Sequence, residues 1–144
     1  QADVVLLLAL LGERFPPEVQ EANFRYYEPL TVHDSSLSPA IHALLAARLG
    51  DLELAEGYVR WATRLDLDFG KGVTAAGGGH IAALGGLWQA LAFGFGGMTV
   101  TDERRPRFSP HVPASWGSLR FRVHWRGELL EVTASGTEAT VEPA

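Results

Sequence analysis

Two hydroxyl residues, Ser35 and Ser36, stand just before the helix-initiating dipeptide Ser38-Pro39 in the run YYEPLTVHDSSLSP at Tyr26–Pro39. A lone histidine, His80, follows a glycine run and opens a second apolar segment in GGGHIAALGG at Gly77–Gly86. Both places combine neutral side-chain donors with the unpaired backbone N–H groups of a helix start, a set that can hold an oxyanion such as phosphate. Such donors orient an anion without quenching it. A phosphate that must act as a nucleophile cannot be clamped by several guanidinium groups, because it gives up electron density in the transition state.

The same residues have plainer roles. Ser35, Ser36 and Ser38 also read as cap and turn residues ahead of a proline. A histidine at a helix start is commonly a polar boundary; the helix dipole disfavours its cation there, and a bound dianion would reverse that preference. Gly77, Gly78 and Gly79 let backbone approach a ligand closely, yet no Gly-Lys-Ser/Thr follows and no strand precedes, so no nucleotide motif is present. His33, His42, His111 and His124 match no zinc or calcium spacing, and no metal is expected. Glu28, Asp34 and Asp3 are the carboxylates near the candidate site, as its supporting partners or as turn residues. Tyr26, Tyr27, Trp61 and Trp88 read as core by pattern, with sugar stacking open to one of them.

The elements that must position these groups change character near residue 98. Before it the pattern is helical. An apolar helix is expected over Ala2–Leu11, ended by Gly12, and a second from Pro16-Pro17 to about Tyr27. A third runs over Pro39–Leu49 with Gly50 as its stop, and a fourth, capped by Asp51, to about Leu65. Asp66–Gly79 reads as a loop of small residues, and a fifth helix spans about His80 to Phe95. Short loops between these helices imply stacked helical hairpins. After Gly96-Gly97 the period becomes two: Ser118–Trp125 is a half-buried strand, Arg126-Gly127 a tight turn, and Leu130, Val132 and Ala134 mark the returning strand. A third strand is expected around Ala139–Glu142. Pro106, Pro110 and Pro113 make Thr101–Ser115 an extended connection.

Composition bounds the function. The chain has 144 residues, 47% hydrophobic and 20% charged, enough for a packed core. Its 12 basic and 17 acidic residues give −5, which argues against a nucleic-acid surface. The arginines at 104, 105, 107, 120, 122 and 126 read as solvated loop and strand faces. Without cysteine there are no disulfides and no thiolate chemistry, which fits a reducing cytoplasm. The opening ADVVLLLALL is too short to span a bilayer and lacks the basic flank of a signal peptide, so no membrane association is expected. A chain that starts at Gln1 inside a core helix reads as a fragment.

Several segments carry a family resemblance: QADVVLLLALL, FRYYEPLTVHDSSLSPAIHALLAARLG, the TRLDL at Thr63–Leu67, GHIAALGGLWQALAFGFGGM, and the tail PRFSPHVPASWGSLRFRVHWRGELLEV. Together they resemble the carboxyl-terminal part of the glycoside hydrolase family 65 enzymes, the maltose, trehalose and kojibiose phosphorylases. The resemblance implies a mainly α fold with a β tail: residues 1–98 as the last part of an (α/α)6-barrel catalytic domain, and 99–144 as an incomplete β-sandwich domain. It implies phosphate contacts at Ser35, Ser36 and His80, and Gln1 against the glucosyl unit. The chain departs from the family at Gly77 and Gly79, where an acidic residue and a bulky aliphatic are usual.

The implied activity is inverting phosphorolysis of an α-glucosyl disaccharide to β-glucose 1-phosphate. Inorganic phosphate is the co-substrate, with no further cofactor, and related enzymes are often homodimers. The family's general-acid glutamate lies upstream, so this segment alone is expected to be inactive. A hydrolase of the same fold, with Asp34 or Glu28 assisting water, and a non-catalytic carbohydrate-binding domain are the alternatives.

Overall fold

The computed structural model describes residues 2–67, 79–100 and 105–144. Five α-helices come first: α1 (Asp3–Leu11), α2 (Pro17–Tyr27), α3 (Ser38–Arg48), α4 (Leu52–Arg64) and α5 (Ile81–Gln89). Each starts or stops where local chemistry requires. Pro17 occupies the first turn of α2 and Pro39 that of α3, where the missing N–H leaves no helical bond unmade. Asp51 Oδ1 accepts the Leu54 N–H at 3.3 Å and caps α4. Gly50, with φ of 81°, closes α3 in the left-handed conformation that glycine adopts without strain.

Helix α3 is the centre of the helical half. All its residues from Ser38 to Ala47 are buried except Ile41, and it packs against α1, α4 and α5. Its alanines at 40, 43, 46 and 47 allow this close approach from several sides. Val5, Leu8, Phe24, Leu45, Ala55 and Phe95 form the main apolar cluster around it.

Three sequence expectations change. The first helix ends at Leu11 as expected, but Gly12 does not take the left-handed turn of a glycine stop: its backbone stays right-handed, and Gly12–Arg14 continue as a 3-10 turn. The fifth helix is α-helical only to Gln89; Ala90–Phe95 is a π-helical segment, with Gly96 N–H reaching the Leu91 carbonyl at 2.8 Å. Arg48 donates to the Phe93 carbonyl in that segment at 3.0 Å and to Ala9 at the end of α1 at 2.8 Å. One guanidinium thus ties three helical segments together.

The aromatics read as core are the third change. Tyr26, Trp61 and Trp88 are exposed, as are Leu6, Leu7, Leu10 and Leu11 of α1. Helical spacing shows that such side chains share a face; it does not show that another element covers that face.

The remainder is two antiparallel sheets. Strand β2 (Pro106–Phe108), inside the Thr101–Ser115 segment expected to be an extended connection, pairs with β1 (Met98–Val100), just before that segment. Pro106 is the first residue of its strand, where a missing ladder donor is tolerated. Strands β3 (Leu119–Trp125), β4 (Glu128–Ser135) and β5 (Glu138–Pro143) form the second sheet in chain order. The β3–β4 turn places Arg126 and Gly127 at φ of 52° and 90°, as a type I′ hairpin requires. Val123, Val132 and Met98 are shared by the two sheets in one apolar cluster, and Phe95 lies 4.6 Å from Trp116 where helices meet strands.

Candidate functional site

Residues 31–37 leave α2 and enter α3 without regular structure, and their shape comes from short hydrogen bonds. Ser35 Oγ accepts the Leu37 N–H at 3.3 Å, and the Ser35 carbonyl accepts the Ser38 N–H at 3.2 Å. The turn therefore satisfies two of its own amides, and Pro39 has none to offer. Backbone donors expected for an anion at the start of α3 are partly used internally. Hydroxyl chemistry is also on offer there: Ser35 is exposed and Ser36 half-buried.

An open cavity of about 870 Å³ lies beside this turn, within the range of roughly 300–1,000 Å³ usual for small-molecule sites. Ser35 and Asp34 line it from the turn, and Ala2, Asp3 and Leu6 from the start of α1. The opposite wall is one face of α5: Ala82, Gly85, Gly86 and Gln89 recur at three- and four-residue steps. Small side chains on that face leave the room. The described lining contains no lysine or arginine.

His80 precedes the first residue of α5, so it stands at the head of the helix that forms this wall. Its ring and Ser36 lie outside the cavity lining, whereas Ser35 is part of it. Gln1 falls outside the described residues, but its neighbours Ala2 and Asp3 border the cavity. Gly77 and Gly78 also fall outside them.

Asp66, just after α4, holds His80 twice. Its Oδ2 accepts the His80 backbone N–H at 2.8 Å and its Oδ1 pairs with Nδ1 at 2.6 Å. Hydrogen bonds from the His80 side chain and then its backbone keep the Asp66 carboxyl below the ordinary value of 3.8. An ionised Asp66 can only accept, so the proton sits on Nδ1 and Nε2 is the ring's outward edge. Nothing local in the sequence marks this pair, which spans fourteen positions from 66 to 80.

A second polar cluster backs the serine turn. His33 Nδ1 lies 2.9 Å from Ser38 Oγ and its Nε2 3.1 Å from the Tyr58 hydroxyl, which donates to Glu28 Oε1 at 2.7 Å. Ser38 Oγ is also 3.0 Å from the Ser35 carbonyl. His42 packs edge-on against His33 with ring centroids 4.6 Å apart. Burial pushes both imidazoles below 6.5, and Glu28 opposes this at His33. Desolvation and hydrogen bonding to Glu28 push the Tyr58 phenol well above its usual range. Helical spacing alone groups Tyr58 with Leu54 and Trp61 on α4, and the only sequence signal of its polar role is the hydroxyl itself.

Among the described residues no group of three or more ligating side chains could hold a metal ion. No described helix is long and apolar enough to cross a membrane. Arg122 and Arg120 pair with Glu131 at 2.8 and 3.9 Å on the exposed sheet face.

Residues 1–89 match the family model described as glycosyl hydrolase family 65 central catalytic domain, and residues 98–143 match the family 65 C-terminal domain. The chain belongs to glycosyl hydrolase family 65. The kojibiose phosphorylase of Halothermothrix orenii is 45% identical over 142 residues, covering 98% of this chain and 18% of that protein. The maltose phosphorylase of Bacillus subtilis is 42% identical over 134 residues, covering 92% and 17%. A solved structure provisionally named a kojibiose phosphorylase, from the human microbiome, superposes with a TM-score of 0.86 at 30% identity. It is matched by 100% of this chain over 19% of its own length. The chain thus spans about a fifth of the family 65 proteins it resembles. The serine turn, the cavity and the Asp66–His80 pair all lie within the region matched by the family's catalytic domain.

Proposed function

We propose that this segment supplies the phosphate side of the active site of an inverting α-glucosyl disaccharide phosphorylase. Residues 1–98 then complete an (α/α)6 barrel and 99–144 belong to a β-sandwich. The observation that carries this reading is the position of Ser35. Its turn opens onto a cavity whose other walls are the start of α1 and the small-residue face of the helix headed by His80.

In this scheme phosphate accepts from the Ser35 and Ser36 hydroxyls and from an Nε2–H of His80, whose Nδ1–H is engaged by Asp66. All are directional contacts, and none is a guanidinium. Phosphate attacks the anomeric carbon on the face opposite the departing oxygen, which an upstream carboxylic acid protonates. The bond to phosphate forms as the glycosidic bond breaks, the configuration inverts, and the product is β-glucose 1-phosphate. Phosphate arrives as an anion, so no second carboxylate is needed as base. Asp3, Asp34 and Gln89 face the same cavity, where they suit sugar hydroxyls better than an anion. The family resemblance assigns Gln1 to that sugar side.

One observation favours a second reading. Asp34 borders the cavity, so it stands where a base could activate water in a hydrolase of the same fold. Glu28, the other carboxylate considered for that role, is engaged by Tyr58 and lies outside the lining. The whole protein, assayed on kojibiose, maltose and trehalose with and without phosphate, separates the two. Cleavage that requires phosphate and releases β-glucose 1-phosphate supports the phosphorylase; undiminished cleavage without phosphate supports the hydrolase.

A further inference from the structure

Behind the Ser35–Ser36 turn, four polar contacts join in series: Glu28 to Tyr58, Tyr58 to His33, His33 to Ser38, and Ser38 to the Ser35 carbonyl. The series starts at the end of α2, crosses to α4, returns through the loop to the first residue of α3 and ends at the Ser35 carbonyl. We propose that His33 is a positioning residue for anion binding, tying the Ser35–Ser36 turn through Ser38 and Tyr58 to Glu28. This rests on the phosphate reading above.

Proton counting shows why the imidazole is the controlling member. Four hydrogen bonds need four protons. The Tyr58 and Ser38 hydroxyls and a neutral His33 supply three. Tyr58 donates to Glu28, so its oxygen accepts from His33 Nε2–H. With His33 neutral, Nδ1 can only accept, and the Ser38 hydroxyl turns toward it and away from the Ser35 carbonyl. With His33 doubly protonated, Nδ1–H donates to Ser38 Oγ, and the Ser38 hydroxyl holds the Ser35 carbonyl. The state of His33 therefore sets whether the Ser38 hydroxyl holds the Ser35 carbonyl in addition to the Ser38 N–H. The groups facing it are Glu28 from α2, His42 from α3, Tyr58 and Trp61 from α4, and Asp34 beside it in the loop. Trp61 and His42 stack edge-on to the ring at 5.0 and 4.6 Å and restrict its orientation.

The test uses steady-state kinetics of the whole protein with phosphate and disaccharide varied separately. His33→Ala empties a packed position and can unfold the helix start, so Tyr58→Phe is the decisive variant: it keeps the aromatic ring and removes the hydroxyl that joins His33 to Glu28. Losing the two contacts of that hydroxyl leaves the imidazole unanchored and should raise the KM for phosphate roughly five-fold, with kcat at saturating phosphate and the KM for disaccharide within about two-fold of wild type. His33→Asn, whose amide can still donate toward Ser38, should recover part of what His33→Ala loses. Parallel rises in both KM values, or a Tyr58→Phe protein with unchanged phosphate KM, would overturn the inference while leaving a phosphate-dependent wild type intact. A wild type that cleaves without phosphate would remove the phosphate reading itself, and this inference with it.

Discussion

Asp66 grips His80 at two points, through the backbone N–H that begins α5 at 2.8 Å and through Nδ1 of its ring at 2.6 Å. The carboxylate thereby fixes both where the helix begins and which edge of the imidazole points away. Asp66→Asn keeps the size but replaces one acceptor by a donor, so both grips survive only if the ring proton moves from Nδ1 to Nε2, and each is then weaker without the carboxylate charge. The expected result in the whole protein is faster hydrogen exchange at the start of α5 and a higher KM for phosphate. Unchanged exchange and unchanged KM would show that His80 is held by other contacts.

The same pair predicts a response to acid. The folded-state carboxyl of Asp66 sits below its ordinary 3.8, so its contribution is present above that value and is lost as pH falls through the lowered one. The start of α5 should loosen below about pH 3.8, and Asp66→Asn should lack this transition. Exchange at the first amides of α5, followed from pH 5 downward, reads it directly.

His42 predicts a second acid effect, in a different window. Its Nδ1–H donates to the Ser38 carbonyl at 2.8 Å, while Nε2 is buried without a partner. Desolvation holds its folded pKa below 6.5, the Ser38 hydrogen bond opposing, and desolvation does the same at His33. The unfolded chain therefore binds more protons below pH 6.5, and stability falls as pH drops from there through the lowered values. The melting temperature should decline by several degrees between neutral pH and pH 5, and His42→Leu should flatten much of that decline. An equally steep decline in His42→Leu would assign the effect elsewhere.

Gly85 and Gly86 are adjacent on α5 but differ in what a side chain would meet. A Cβ at Gly85 has nothing within 4 Å and would enter the cavity, whereas one at Gly86 would lie 3.1 Å from the Ala40 Cβ of α3. Gly85→Ala should stabilise the protein by roughly 0.5–1 kcal/mol, because it removes backbone entropy from a helix interior. Gly85→Leu should remain folded yet weaken substrate binding by filling the space, while Gly86→Leu should lower the melting temperature by separating α5 from α3. Thermal melts and KM values for the three variants check this set.

Apolar patterning, with prolines, aspartate or glycines at the ends, located the five helices, β3 and β4, whereas β5, mostly exposed, was expected only from its place after a Ser135-Gly136 turn. Patterning did not show the π-helical segment, whose signal is the tertiary contact between Arg48 and the Phe93 carbonyl. Nor did it show the β1–β2 pair, since Pro106 and its neighbours suit a strand edge and an extended link alike. At the site, the serine turn was readable because its chemistry is local. The partners behind it were not: Asp66 and Tyr58 lie 14 and 25 residues from the histidines they hold, and no local pattern encodes such a pairing.

Gly97 gives the sharpest test of how the helical half is joined to the strands. It has φ of 60°, and a Cβ there would fall 1.9 Å from the Ser109 carbonyl oxygen. Its own carbonyl accepts the Ser109 N–H at 3.1 Å, so the two strands of the first sheet meet at this point. Gly136 has a similar φ of 55° but open space around its absent side chain. Strain alone should therefore cost Gly136→Ala about 1–2 kcal/mol. Gly97→Ala carries the same strain together with a clash against backbone that only a shift of β2 can relieve, so its loss should exceed about 3 kcal/mol. Denaturant unfolding of the two variants side by side measures the difference, and equal losses would mean that the junction yields without disturbing either sheet.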